Sequence, residues 1–161
     1  MDNSGFRIYT TNKSRKYQAG LFGLGVPLNA IQIPPNETNW HQLSTCPEEY
    51  TQLLGSYSPM KKMIVFASGL HAHYLGKQIW TAHYRNNTLL GYIGKNEYYD
   101  FVSIFNNILR AHNWPLLKNN QRFVDMQTEI LPGDRLVTHC VWDSTGRETI
   151  TSGGEGTADE M

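Results

Sequence analysis

Charge is scarce in this chain. Of its 161 residues only 17% are Asp, Glu, Lys or Arg, and 14 basic side chains balance 14 acidic ones, for a formal net charge of zero. Without a basic excess there is nothing to track a phosphate backbone, which argues against nucleic-acid binding. Cysteine is scarce too: Cys46 and Cys140 are the only two, enough for one bridge or for two free thiols. No apolar run approaches the length of a membrane span. There is no internal repeat and no low-complexity tract. The opening Met1-Asp2-Asn3-Ser4-Gly5 is polar and carries no hydrophobic leader. What the chain does contain is 40% hydrophobic and 12% aromatic residues, which argues against intrinsic disorder. Its length suits one domain that buries about two-thirds of its unfolded surface.

Turn residues and β-formers set the fold class. Fourteen Gly and seven Pro, with many Tyr and Trp, indicate an all-β domain rich in turns. Strands are expected at residues 5–10, 17–27, 39–43, 62–67, 70–75, 78–85, 89–94, 123–131, 136–142 and 148–151. The prolines of Ile31–Pro35 keep that segment out of a central sheet position. Asn86-Asn87 reads as a tight hairpin turn, and Pro132-Gly133-Asp134 as a second turn. Thr45-Cys46-Pro47-Glu48-Glu49 opens a short helix with acids in its first turn. Turn signals every 8–12 residues or so point to an antiparallel jelly-roll-like sandwich or a barrel. Residues 102–118 break the pattern: Ile104, Phe105, Ile108 and Leu109 have helical spacing. Three glycosylation sequons begin at Asn12, Asn36 and Asn86 and favour a secreted protein.

The sharpest local feature is Leu70-His71-Ala72-His73-Tyr74. On a strand, residues two apart face the same way, so the imidazoles of His71 and His73 project side by side and can share one metal ion. The competing reading is two unrelated polar side chains that meet substrate or solvent. The metal depends on a third ligand, with His41, His83, His112, His139, Asp159, Glu160 and several Met as candidates. A third His or a carboxylate would favour zinc or iron, and a thioether would favour copper that passes through Cu(I). Spacing alone leaves the choice open. His83 and His139 fall in strands and read as core or surface histidines. Asp159 and Glu160 read as solvated or as caps on neighbouring backbone, and the Trp and Tyr side chains as core.

Three blocks carry a resemblance. They are Phe66-Ala67-Ser68-Gly69-Leu70-His71-Ala72-His73-Tyr74-Leu75-Gly76-Lys77, Leu131-Pro132-Gly133-Asp134-Arg135-Leu136-Val137-Thr138-His139-Cys140 and the closing Thr151-Ser152-Gly153-Gly154-Glu155-Gly156-Thr157-Ala158-Asp159-Glu160-Met161. With the opening Asp2–Tyr9 and the Ile33-Pro34-Pro35 step, they stand in order over nearly the whole chain. The chain resembles the type II, ascorbate-dependent copper monooxygenases, most of all their DBH-like branch. The resemblance implies a C-terminal catalytic domain, residues 1–161, in which His71, His73 and Met161 hold the copper that binds dioxygen. One oxygen atom enters an activated C–H bond and the other leaves as water, with electrons from ascorbate through a second, distant copper. The family holds that second copper on a preceding domain through three histidines, two of them adjacent. This chain has no His-His pair, so that domain is expected to be missing, and the isolated chain is expected to turn over little.

Departures from the family sharpen the expectation. Peptide-hydroxylating relatives carry an Arg two residues before the first His, where this chain has Gly69. A small amine-like substrate is therefore favoured over a peptide. Where close relatives have a second Cys four residues after Cys46, this chain has Tyr50, so one family disulfide is lost. The partners implied for Cys46 and Cys140 lie downstream, that of Cys140 directly after Met161, so the domain reads as truncated at its C-terminal end. Residues 102–118 have no family counterpart and read as an insertion or a translated intron. The resemblance also implies the secretory pathway: the extracellular space or a vesicle or ER lumen. The competing function is a non-catalytic secreted β-sandwich binding module, or a degenerate fragment, that keeps a metal-capable His pair.

Overall fold

A computed structural model of the chain describes residues 5–17, 19–57, 61–100 and 124–161. Their architecture is an all-β antiparallel sandwich. Strands β2 (Trp40–Cys46), β7 (Arg135–Trp142), β4 (Gly76–Arg85) and β5 (Thr88–Asn96) form one four-stranded sheet in that order. Strand β3 (Met63–Ser68) pairs with β6 (Val124–Ile130), and β1 (Gln32–Ile33) with β8 (Thr151–Ser152). The helical pieces are a 3-10 turn at Leu28–Ala30, α1 (Glu48–Gln52) after Pro47, and α2 (Leu54–Tyr57).

Alternation builds the central sheet. Along β7, Leu136, Thr138, Cys140 and Trp142 point inward, while Val137 and His139 face the other way. Register places Ile79 opposite Cys140 and Thr81 opposite Thr138, whose hydroxyls meet at 2.9 Å. Val65 and Ile130 of the β3–β6 pair pack on Ile93 and Leu136 of the large sheet, which makes the sandwich. A second cluster, with Ile31, Ile33, Ile79, Tyr99, Cys140 and Trp142, lies under the His71–His73 segment.

Two turns behave as their residues dictate. Asn86 and Asn87 have φ of 48° and 61°, the left-handed pair that a two-residue hairpin turn needs. Gly133 has φ of 90°, and the next side chain, Asp134, folds back to accept the Leu131 N–H at 2.8 Å. Asp134 is 1% exposed and also binds His83 Nε2 at 2.7 Å and the Arg85 guanidinium at 2.7 and 2.8 Å. Burial would raise its pKa, but the bonds from Arg85, the Leu131 N–H and His83 outweigh burial and hold it at about 2.

Several expected strands are not strands. Residues 5–10, 17 and 19–27 are irregular and largely exposed, with Phe6 at 100% and Leu21 at 97%. Alternation specifies a face only where a partner strand supplies its burial, and among the described residues this stretch pairs with none. Residues 70–75 are a loop, for a reason given below. Of residues 148–151 only the end joins a strand, β8. Tyr9, Tyr50, Tyr74 and Tyr98 are exposed rather than core, in contrast to Tyr99 and Trp142. The segment 102–118 lies outside the described residues.

Candidate metal centre

The histidine pair sits on a loop whose backbone bonds go largely to side chains and a turn instead of to a ladder. The Tyr99 hydroxyl accepts the Ala72 N–H at 2.9 Å and donates to the Ala72 carbonyl at 2.6 Å. One side chain thereby satisfies both polar groups of a residue that is 2% exposed. The N–H groups of His73 and Leu75 donate to the two carboxylate oxygens of Glu160, Oε1 and Oε2, the second at 2.8 Å. The Leu75 carbonyl accepts the Asp143 N–H at 2.8 Å. Gly76 closes the turn because a Cβ there would lie 2.6 Å from that of Ala72.

Glu160 is fully buried and joins this loop to the chain end. Its Oε1 also accepts the Met161 N–H at 3.0 Å. Burial pushes the carboxyl pKa up, and the N–H groups of Met161, Leu75 and His73 oppose that rise. The backbone of Glu160 is fixed as well: its N–H donates to Ser152 at 3.1 Å, and its carbonyl accepts from Gly154 at 3.0 Å. Gly153 passes so close to the 3-10 turn that a Cβ would fall 2.0 Å from the Leu28 carbonyl oxygen.

With both segments pinned, the rings of His71 and His73 stand edge to face, 5.3 Å between centroids at 90°. His71 is exposed, and His73 and Met161 are half-buried. His73 Nδ1 lies 3.1 Å from the Asp159 carbonyl oxygen. A carbonyl only accepts, so Nδ1 carries the proton and Nε2 keeps its lone pair. Among the described residues no group of three His, Cys, Asp or Glu side chains converges. The donors on these two segments are the His71 and His73 imidazoles and the thioether of Met161, whose backbone shares a Glu160 oxygen with that of His73. That soft set suits Cu(I), so the residues present fit copper.

The other candidate histidines among the described residues lie elsewhere. His83 is buried against Asp134, and His41 pairs with His139 on β2 and β7. His112 is outside the described residues. Glu160 is not solvated; it caps the neighbouring backbone, one of the two roles its sequence position allows. The alternation of His71, Ala72 and His73 survives without a strand, since Ala72 is buried between them. Tyr99 has no sequence signal that marks it.

The comparisons agree with the residues. The family model described as copper type II ascorbate-dependent monooxygenase, C-terminal domain, matches residues 17–161. Tyramine beta-hydroxylase of Caenorhabditis briggsae is 36% identical over 100% of this chain and 24% of its own length. DBH-like monooxygenase protein 1 of Mus musculus is 32% identical, with 100% and 24% covered. Dopamine beta-hydroxylase of Homo sapiens is 30% identical, with 99% and 23% covered. The chain thus spans about a quarter of the length of these relatives. With the backbones of His73, Leu75 and Met161 tied to one buried carboxylate, the chain belongs to the copper type II ascorbate-dependent monooxygenases, as their C-terminal domain.

Proposed function

We propose that this chain is the oxygen-activating copper domain of a monooxygenase that hydroxylates a small amine-like substrate at an activated C–H bond. His71, His73 and Met161 would hold the copper. The observation that carries the reading is the Glu160 carboxylate, which accepts the backbone N–H groups of both His73 and Met161. Copper held there supplies the one-electron chemistry by which dioxygen is activated, with ascorbate as the ultimate donor through a second copper on a preceding domain.

The protein's own residues do the rest. The Nδ1–H bond to Asp159 fixes the His73 tautomer and aims Nε2 away from the backbone. Glu160 and Tyr99 hold the backbone of the loop that carries both imidazoles. His71 stays open to solvent, on the side where a small substrate can approach. Gly69 offers no cation for a substrate carboxylate, which favours an amine such as a phenethylamine over a peptide.

Surface features support a secretory setting. Asn12, Asn36 and Asn86 are all exposed, the last two in turns with positive φ. Cys140 is buried, and burial and the nearby Glu160 carboxylate push its thiol up to about 12. It thus lies beside the segment after which its disulfide partner is expected.

Copper titration followed by X-ray absorption tests the ligand set. The Cu(I) form should show Cu–S scattering that disappears in Met161→Ala. A Cu(I) form without sulfur scattering, or scattering unchanged in that variant, removes Met161 from the site. Ascorbate-driven oxygen uptake with tyramine, in the full-length protein, tests the substrate class. Copper binding with no substrate-dependent uptake would favour a non-catalytic module.

A further inference from the structure

A second pair of imidazoles lies on the outer face of the large sheet. Trp80 and His139 are direct partners across β4 and β7, with ring centroids 4.3 Å apart and planes tilted by 30°. His41 comes from the next strand, β2, where it faces Val141 in the register. His41 Nδ1 lies 3.1 Å from His139 Nε2, and the two rings stand at 77°. Both backbones are locked in the β2–β7 ladder, and Trp80 backs one ring, so the pair is preorganised.

The spacing of those nitrogens decides what they can hold. Metal–imidazole bonds of about 2.05 Å to nitrogens 3.1 Å apart subtend an angle of about 98° at the ion. That lies between the square-planar and tetrahedral values, so the nitrogen spacing suits one shared cation, with each ring turning by about 40° to aim its lone pair at the ion. As a hydrogen bond, the contact needs one protonated and one bare nitrogen. On metal binding, that proton moves to the same ring's other nitrogen, and two neutral imidazoles present two lone pairs. Burial and the nearby His41 lower the pKa of His139, which favours its neutral form.

We propose that His41 and His139 form a separate metal site for one late first-row divalent cation, with water in the remaining positions. Two imidazoles without a thioether favour Cu(II) over Zn(II) in the usual order of affinities. The site uses neither His71, His73 nor Met161, so it stands or falls apart from the function proposed above.

The test is a Cu(II) titration of the full chain carrying His71→Gln and His73→Gln. One equivalent should bind, and it should quench the emission of Trp80. His41→Gln, at an exposed position, should weaken binding at least about tenfold, and His139→Gln should do the same. Trp80→Phe should keep the binding and lose the quenching. Electron paramagnetic resonance should show coupling to two nitrogens. No Cu(II) bound to the His71/His73 variant, or equal binding with and without His41→Gln, would overturn the site. Because His41→Gln reads the site by itself, misfolding of the His139 variant leaves the test intact.

Discussion

His73 and Met161 donate their backbone N–H groups to the same oxygen, Oε1 of Glu160. Two proposed ligands that lie far apart in the chain are therefore positioned by one atom. Replacing Glu160 with Gln exchanges one acceptor for an NH2 group that faces an N–H donor, which breaks part of the clamp. We expect a loss of stability of about 1–3 kcal/mol and a Cu(I) spectrum with weaker sulfur scattering. Chemical denaturation and X-ray absorption check the two effects. An unchanged unfolding midpoint would contradict the clamp.

Tyr99→Phe keeps the ring in the core and removes only the hydroxyl. The Ala72 N–H and carbonyl then stay buried without it. Each such group costs about 1–3 kcal/mol. Stability should fall by about 2–6 kcal/mol, and faster hydrogen exchange at residues 71–75 should accompany the loss.

Gly153→Ala forces a methyl group against the Leu28 carbonyl oxygen. The chain must shift there, at a cost of about 1–3 kcal/mol. The shift should reach Glu160, which bonds the backbone on either side of Gly153. Copper affinity should fall together with stability, whereas Gly146→Ala, at a turn where nothing crowds the added methyl, should leave affinity unchanged.

Acid stability should depend on Asp134. Its carboxyl is held at about 2 in the folded state against an ordinary 3.8. A depressed carboxylate adds stability that is present above its unfolded pKa and is lost as pH falls through the folded one. The window is thus from about pH 4 down to about pH 2, and the amount is about 2 kcal/mol. Asp134→Asn should lower stability at pH 7 and flatten the decline in that window. Unfolding curves from pH 7 to pH 2 provide the comparison.

The strands that can be read from sequence include a local pair, the β4–β5 hairpin, and strands whose partners lie far off, such as β3 and β7, where the apolar, β-branched run is itself the signal. The Asn86-Asn87 hairpin is local, so its residues contain the whole signal. Alternation at residues 5–10 has no such partner and misleads. The histidine pair was legible because two-residue spacing survives in an extended loop. The loop itself was not, because its bonds come from Tyr99 and Glu160, which lie 27 and 87 residues from the backbone groups they bind. No window of sequence contains that relation, and a Glu between Asp159 and Met161 has the look of a solvent-exposed residue.

The Glu160 contact also sets an order of events in time. During synthesis His71 and His73 emerge well before residue 160, as part of a loop whose fastening does not yet exist. Contacts this distant in sequence close late, since chain entropy must be overcome first. The imidazole pair therefore gains its final geometry only when residues 151–161 dock beside β1. Under the proposed ligand set, metal offered before that moment would meet two loosely held nitrogens, and metal offered after it would meet a finished site, so loading would follow folding.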